Sequence, residues 1–366
     1  MLLLAFTLSL TGCQTASYYT QAIRGQCQIW NRQRPIHSLL EDPNTPELLK
    51  QRLRFVLEVR DFAETKLKLP ANGHYLRYAD LDRRFAVWNV YAAPEFSLTP
   101  KSWWYPVVGR LEYRGYFAEQ RARQYAAKLK RQGLDVFVGG VTAYSTLGWF
   151  RDPVLNTFIH EDDADLAELL FHELAHQQLF VAGDTDFNEA FATAVAEEGL
   201  RRWMEERRDP AAAEKYHAAI HRTAQFIKLV AGAREKLKSI YEPELPPRAS
   251  PGQRRRSDSE KRHEKQRVIG ELRLGYAQLK AEWGGRKDYD AWFAHSLNNA
   301  QLNTVDTYYN LVPAFRRLLQ EHDGNLETFY GAASALGKLK EEERRARLSQ
   351  VGRGGALNRN DSLATD

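Results

Sequence analysis

Two histidines and a glutamate near the middle of the chain have the spacing of a catalytic metal site. The segment HELAH at 172–176 lies in a run whose leucines recur at helical intervals. Residues i and i+4 of a helix share one face, so His172 and His176 can present ring nitrogens to a single ion. Glu173 lies beside a ligand on a different line of the helix, where a general base is needed. The pattern predicts a hydrolytic zinc site.

A third ligand is expected from the helix that follows. A catalytic zinc ion usually has three protein ligands and keeps a fourth position for water. The turn VAGDTD at 181–186 is short, so the next helix must run antiparallel to the first and a carboxylate near its start can reach the histidines. Glu189 is the best candidate, and Asp184 and Asp186 are the alternatives. Asp186 is also the predicted N-cap of this second helix.

A second pair of histidines in the chain serves as a comparison for this motif. His217 and His221 have the same i, i+4 spacing without an intervening glutamate, and we interpret that pair as an ordinary helix face. For HELAH the competing interpretations are two buried core histidines, or a structural metal in a non-catalytic protein. Structural zinc sites are usually closed by four protein ligands and rich in cysteine, whereas this chain has 2 cysteines. The motif therefore favours an enzyme.

The elements that must position these residues differ between the two halves of the chain. Residues 84–145 are rich in Val, Trp, Tyr and Phe and are interrupted by Pro and Gly, which is typical of strands and turns. Residues 163–340 show helical apolar periodicity. We predict an α+β fold in which a strand-containing N-terminal half leads into a mainly helical half. Residues 44–340 form the predicted catalytic domain, and a hydrophobic content of 43% suffices for its core.

Two segments are predicted to lie outside that domain: residues 14–43 form an N-terminal tether and residues 341–366 a disordered tail. Within the domain, residues 243–266 form a charged linker. The net charge of +5 is small against 52 basic and 47 acidic residues, and much of the basic excess lies in the linker. We therefore predict no nucleic-acid binding.

Residues 1–13, MLLLAFTLSLTGC, resemble the signal peptide of a bacterial lipoprotein. The apolar run from Leu2 to Leu10 is too short to span a bilayer but has the length of a signal-peptide core. The small residues before Cys13 are similar to a lipobox, in which that cysteine is acylated. The alternative is a buried N-terminal strand or helix. The resemblance implies a lipid anchor that holds a periplasm-facing protein at the cell envelope, and Gln14 favours the outer membrane. Cys27 is left without a disulfide partner.

Several blocks together resemble a known family. HELAH followed by FNEAFA at 187–192 is similar to the gluzincin metallopeptidases, and the blocks at 115–117, 141–158 and 297–319 extend the likeness to the bacterial predicted-aminopeptidase lipoproteins. The resemblance implies a zincin-like helical half, one zinc ion, and cleavage of peptides from their amino end. It makes His172, His176 and Glu189 the ligands. The chain departs from the clan at Thr193, where many gluzincins have an aspartate that orients a ligand histidine.

The implied reaction needs a base and an oxyanion donor. Zinc lowers the pKa of a bound water, and Glu173 takes its proton and returns it to the leaving amine. The oxyanion needs a second donor besides the metal. We favour Tyr144, which follows a Gly-rich strand whose edge can bind a peptide backbone. Tyr308 and Tyr309 are the alternatives.

The substrate contacts are left open by the sequence. An aminopeptidase needs a carboxylate for the substrate α-ammonium, and four acidic residues lie close to the motif: Asp152, Glu161, Asp162 and Asp165. His160 can orient substrate, and Asn298 and Asn299 can bind it or serve as a cap and turn. A zinc hydrolase of a non-peptide amide and a non-catalytic envelope lipoprotein are the competing functions. The oligomeric state is not predicted.

Overall fold

The structure is a computed structural model that describes residues 2–106, 109–143, 151–242, 256–309 and 311–353. Side chains are described in these ranges except at 2–15, 306–309 and 352–353. In chain order the elements are α1 (Leu2–Arg32), β1 (Gln33–Pro35), α2 (Ile36–Glu41), α3 (Glu47–Thr65), β2 (Arg77–Ala79), β3 (Val87–Pro94), β4 (Trp103–Tyr105), β5 (Gly109–Leu111), β6 (Arg114–Tyr116), α4 (Glu119–Arg131), β7 (Leu134–Val141), β8 (Val154–Leu155), α5 (Asp163–Gln178), α6 (Thr185–Arg207), α7 (Pro210–Tyr241), α8 (Asp258–Glu282), α9 (Asp290–Phe293), α10 (Asn299–Tyr309), α11 (Val312–Glu321), α12 (Leu326–Gly337) and α13 (Glu341–Arg353).

The predicted α+β class is confirmed. All described strands precede α5, and every described element from α5 onward is a helix. The strands form three small sheets of order β1-β2-β8, β6-β3-β7 and β4-β5. β3 pairs antiparallel with β6, with Trp88 opposite Tyr116, and β2 pairs parallel with β8, with Tyr78 opposite Val154. β7 lies at an edge of its sheet, so the Gly-rich strand singled out in the sequence occupies an edge.

One compact unit comprises the described residues of Met1–Val90, Arg114–Tyr125 and Val138–Gln178. In this unit α1 packs closely on the segment that follows β6. The Oε1 atom of Gln21 accepts a hydrogen bond from the backbone N–H of Phe117 (3.1 Å). A β-carbon at Gly25 would lie 2.0 Å from the Phe117 ring, so the close approach of this helix requires glycine.

Helix α5, which carries HELAH, belongs to the same unit and packs on α3, where the ring centroids of Phe62 and Phe171 are 5.8 Å apart. Arg52 of α3 holds the segment that enters α5. Its guanidinium donates to the carbonyl oxygens of Ile159 (2.7 Å) and Glu161 (2.6 Å) and also pairs with Asp163. The start of α5 is therefore fixed by backbone contacts as well as by apolar packing.

The second unit comprises the described residues of Tyr91–Tyr113, Ala126–Phe137 and Leu179–Asp366. Its helices enclose a phenylalanine core in which Phe187 and Phe191 of α6 pack on Phe315 of α11, with ring centroids 5.1 and 5.7 Å away. Phe191 also stacks on Phe329 of α12 at 5.7 Å. A separate apolar cluster joins α7 and α8, which pack against each other along their length. This core fixes the position of α6.

The C-terminal boundary predicted from the sequence is wrong over 341–353. The structure has helix α13 there, in which Leu348 is fully buried and Arg344 is 4% exposed. The segment EEERRAR did not indicate a packed helix, because sequence alone does not distinguish a buried arginine from a solvated one. Residues 354–366 of the predicted tail lie outside the described residues.

Another predicted boundary also shifts. The charged linker was expected to reach residue 266, but α8 begins at Asp258 because Ser257 and Glu260 form a capping box. Further along the chain α10 ends at Tyr309, and α11 begins at Val312 with Pro313 in its first turn. Proline lacks an N–H group and favours the start of a helix over its interior.

In the ranges that the structure describes, no helix combines the length and the apolar character needed to cross a bilayer.

Candidate metal centre

Both histidines of the motif lie on α5 near its C-terminal end. The helix buries Leu166, Leu170 and Leu174, which recur at i+4 and anchor one face in the core. His176 is buried and His172 half-buried. The centroids of their rings are 4.9 Å apart with planes at 85°, as the i, i+4 spacing predicts.

The turn after α5 is closed by side chains at the start of α6. The amide of Asn188 donates to the carbonyl oxygen of Val181 and accepts from the N–H of the same residue, both at 2.8 Å. The N-cap of α6 is Asp184, which accepts from the N–H of Phe187 at 3.1 Å. The prediction that Asp186 is the N-cap is wrong, because the helix begins at Thr185 and places Asp186 in its first turn.

A buried ion pair holds the N-cap of α6. Both Asp184 and Arg344 of α13 are about 5% exposed, and the guanidinium nitrogens lie 2.6 and 2.9 Å from Oδ2 of the aspartate. Arg344 also donates to the carbonyl oxygens of Gly337 and Leu339. The first turn of α6, which precedes Glu189, is thereby tied to the C-terminal helices.

The structure brings together His172, His176 and Glu189. One ligand atom from each of the three residues lies within 4.8 Å of the other two. Zinc binds nitrogen and oxygen ligands at about 2.0–2.2 Å in a tetrahedron, so donor atoms around one ion lie about 3.3–3.6 Å apart. The two imidazoles and the carboxylate could hold a metal ion if their side chains move closer together by about 1 Å. The alternative ligands are engaged elsewhere, Asp184 with Arg344 and Asp186 with Arg345.

Tyr75 lies close enough to the motif for the charge of Glu173 to affect it, and the sequence analysis did not single it out. It is 4% exposed and has a φ of 59°, a left-handed conformation that costs about 1–2 kcal/mol for a residue with a side chain. Its N–H donates to the carbonyl oxygen of Asp152 at 2.8 Å, and the N–H of Asp152 donates to Nδ1 of His74 at 3.1 Å. Hydrogen bonds thus join the segment before β2 to the segment before β8.

The pKa of Tyr75 depends in part on the charge of Glu173, a residue of the motif. Burial, followed by the negative charges of Glu173 and Asp152, raises the pKa of Tyr75 well above its usual range. The phenol therefore stays protonated at neutral pH and is available as a hydrogen-bond donor. Strained backbone is concentrated at functional sites. The sequence signal was weak: the turn residues Asn72 and Gly73 mark a loop and do not indicate which residue it presents.

The acidic residues proposed for substrate binding have different environments. Asp152 is 3% exposed, and its carboxylate lies 3.5 Å from His74, which places it inside the unit. Glu161 is half-buried, and burial together with the nearby charge of Asp165 raises the pKa of its carboxyl group. Asp162 and Asp165 are exposed. Glu161 and Asp165 therefore form a negative pair at the start of α5.

The remaining predicted residues have no demonstrated part in the centre. Tyr144 lies outside the described residues, as do the side chains of Tyr308, Tyr309 and Cys13. His160 is exposed, and the comparison pair His217 and His221 is exposed on α7.

The two asparagines are structural. Asn298 accepts from the N–H of Gln301 at 3.2 Å as a helix cap. Asn299 is fully buried; its amide group donates to the carbonyl oxygens of Pro94, Glu95 and Ser97 and accepts from the hydroxyl of Tyr241.

Comparison with known families identifies the class. Residues 17–348 match the model of the family described as "Putative aminopeptidase". Because the match covers most of the chain, the protein belongs to this family and is assigned to the peptidase class by it. No curated protein and no solved structure matches the chain.

Proposed function

We propose that the protein is a zinc-dependent aminopeptidase that a lipid on Cys13 holds at the bacterial cell envelope. The observation that carries the proposal is the cluster of His172, His176 and Glu189, whose ligand atoms lie within 4.8 Å of one another in a chain of an aminopeptidase family. Two imidazoles and one carboxylate form the donor set of many catalytic zinc sites and leave room for a water.

The three ligands come from two elements with independent support. His172 and His176 are held by the buried apolar face of α5, and Glu189 follows the capped and ion-paired start of α6. When bound, zinc would act as a Lewis acid toward the scissile carbonyl and make a water acidic at neutral pH. Rigid supports matter here because a shift of about 1 Å at a catalytic group can cost about a hundredfold in rate.

Glu173 would serve as the general base. It follows the proposed ligand His172 on α5 and is half-buried. It would accept a proton from the attacking water and deliver that proton to the nitrogen of the leaving amine. The protonated phenol of Tyr75 is near enough for its pKa to respond to the charge of Glu173, which makes it a further candidate donor to the oxyanion besides Tyr144.

A peptide substrate suits the surroundings of the motif. β7 lies at an edge of its sheet, and extended peptides add to exposed sheet edges through backbone hydrogen bonds. Glu161 and Asp165 provide negative charge at the start of α5, and of the four acidic candidates they are the best suited to bind an α-ammonium group. Lipid on Cys13 would keep the enzyme on the periplasmic side of a membrane, with the outer membrane favoured by Gln14.

Hydrolysis of matched peptides tests the function. The purified full chain is expected to release the first residue from peptides with a free amino group and to leave their N-acetylated counterparts intact, because a charged α-ammonium group is part of what it recognises. Activity should disappear with 1,10-phenanthroline and return with added zinc. Cleavage of blocked and free peptides at equal rates would replace the aminopeptidase by an endopeptidase. Activity that survives chelation would contradict the zinc mechanism, and hydrolysis confined to non-peptide amides would favour the competing hydrolase.

A further inference from the structure

The N-terminal helix α1 has an exposed apolar stripe that the peptidase function does not explain. Three of its large apolar side chains face solvent: Tyr19 is 37% exposed, Ile23 63% and Trp30 42%. At about 100° per residue of an α-helix, these three positions fall within about 40° of one another. They form one line along the helix, which we call the α1 stripe.

The opposite face of α1 is fixed to its own unit. Gln21, Gly25 and Ile29 are buried. Gln21 bonds the backbone of Phe117, and Gly25 admits the ring of that residue. Gln21 and Gly25 lie about 140–180° around the helix from the α1 stripe and Ile29 about 100°, so the stripe points away from the unit. Its exposure follows from how the helix is docked.

The charge of this part of the chain indicates what kind of surface the α1 stripe contacts. The chain has 47 Asp and Glu residues, yet the first of them is Glu41, so α1 carries no acidic side chain. Arg24 is exposed next to Ile23. Arg32 and Arg34 are engaged elsewhere, Arg32 with the carbonyl oxygen of Asp80 and Arg34 with the carboxylate of Asp42. A helix with Tyr, Ile and Trp on its outer face, an arginine beside them and no carboxylates complements a surface that is apolar inside and anionic outside. Tyr and Trp are the side chains enriched at the boundary between lipid and water.

We propose that the α1 stripe rests on an anionic phospholipid bilayer and orients the protein on the membrane. Tyr19 lies about 9 Å along the axis from Cys13 and Trp30 about 26 Å, since each residue of a helix adds about 1.5 Å. The stripe therefore makes a second contact beyond the point of lipid attachment. This inference does not depend on the peptidase activity.

Fluorescence quenching in vesicles tests the contact. A probe is attached to a single cysteine in the full chain, with Cys13→Ser and Cys27→Ser as background, at Ile23→Cys or at Leu274→Cys. The second position is a matched control because Leu274 is a comparably exposed apolar residue on α8 (68%). Each protein is floated with vesicles of phosphatidylethanolamine and phosphatidylglycerol and titrated with lipid-attached doxyl quenchers and with aqueous iodide.

The probe at position 23 is expected to be quenched by doxyl lipid roughly threefold more than the probe at 274, since an interfacial helix buries its apolar face about 5–10 Å into the headgroup boundary. Equal doxyl quenching at the two positions would overturn the proposal. Failure of both proteins to float would also overturn it. Shielding of position 23 from iodide without doxyl quenching would show that protein, such as a second copy of the chain, covers the stripe instead of lipid.

Discussion

Replacing Glu173 with glutamine is expected to lower kcat/KM by about 10²- to 10⁴-fold, the range typical of a lost general base. Glutamine keeps the size and most of the packing of the side chain but cannot accept a proton from water. The expected result therefore includes an unchanged unfolding curve and unchanged zinc content. The measurements are hydrolysis of an aminoacyl substrate with a free amino group, urea unfolding and elemental analysis on the same preparation.

Glu168→Gln is the matched control for this prediction. Glu168 is another half-buried carboxylate on α5, so its replacement removes the same charge from the same helix. We expect it to change kcat/KM by less than about tenfold, because it lies one turn before His172 and has no part in the proposed proton transfer. If Glu173→Gln retains wild-type activity, Glu173 is not the base. If both variants lose activity equally, the effect comes from the charge of the helix and not from proton transfer.

The second large effect is expected from Arg344→Ala, which should lower the free energy of unfolding by about 3–5 kcal/mol. Asp184 and Arg344 are both buried, so truncating the arginine leaves an aspartate with no counterion in a nonpolar environment. The carbonyl oxygens of Gly337 and Leu339 lose a donor at the same time. Because Asp184 caps the helix that carries Glu189, the variant should also bind zinc more weakly.

The next residue provides the control for this prediction. Arg345 is 50% exposed and lies 3.5 Å from Asp186, so Arg345→Ala removes the same charge at the same place in the sequence. Exposed pairs contribute about 0–1 kcal/mol, and we expect a loss in that range. Urea unfolding of both variants measures the difference. Equal destabilisation would contradict the assignment of Arg344 as the anchor of α6, whereas partial recovery in Asp184→Asn/Arg344→Met would support it, since the uncompensated charge is then removed.

The sequence predicted those features of the centre that depend on local geometry. The pairing of His172 and His176 follows from helix periodicity alone. The choice between Glu189 and the two aspartates could not be made locally, because Arg344 and Arg345, which engage the aspartates, come from α13 at the far end of the chain. That helix was itself missed, since its sequence is highly charged and its burial depends on Leu348 and one ion pair.

Tyr75 was missed for a similar reason. Its place near Glu173 depends on a left-handed backbone and on a hydrogen bond to Asp152, neither of which leaves a periodic pattern in the sequence. The α+β class, in contrast, follows from apolar periodicity and from the distribution of Pro and Gly, which are local signals. The third ligand, helix α13 and the position of Tyr75 depend on contacts between segments that are far apart in the sequence, which local patterns do not predict.

Zinc content measured by elemental analysis of the full chain tests the central claim most directly. We expect about one zinc per chain in the wild type, because a catalytic site with three protein ligands binds a single ion. His172→Ala should lose the metal, and His217→Ala, a histidine of the exposed pair on α7, should keep it. A folded wild-type protein that binds no zinc, or a His172→Ala variant that binds as much as His217→Ala, would contradict the account.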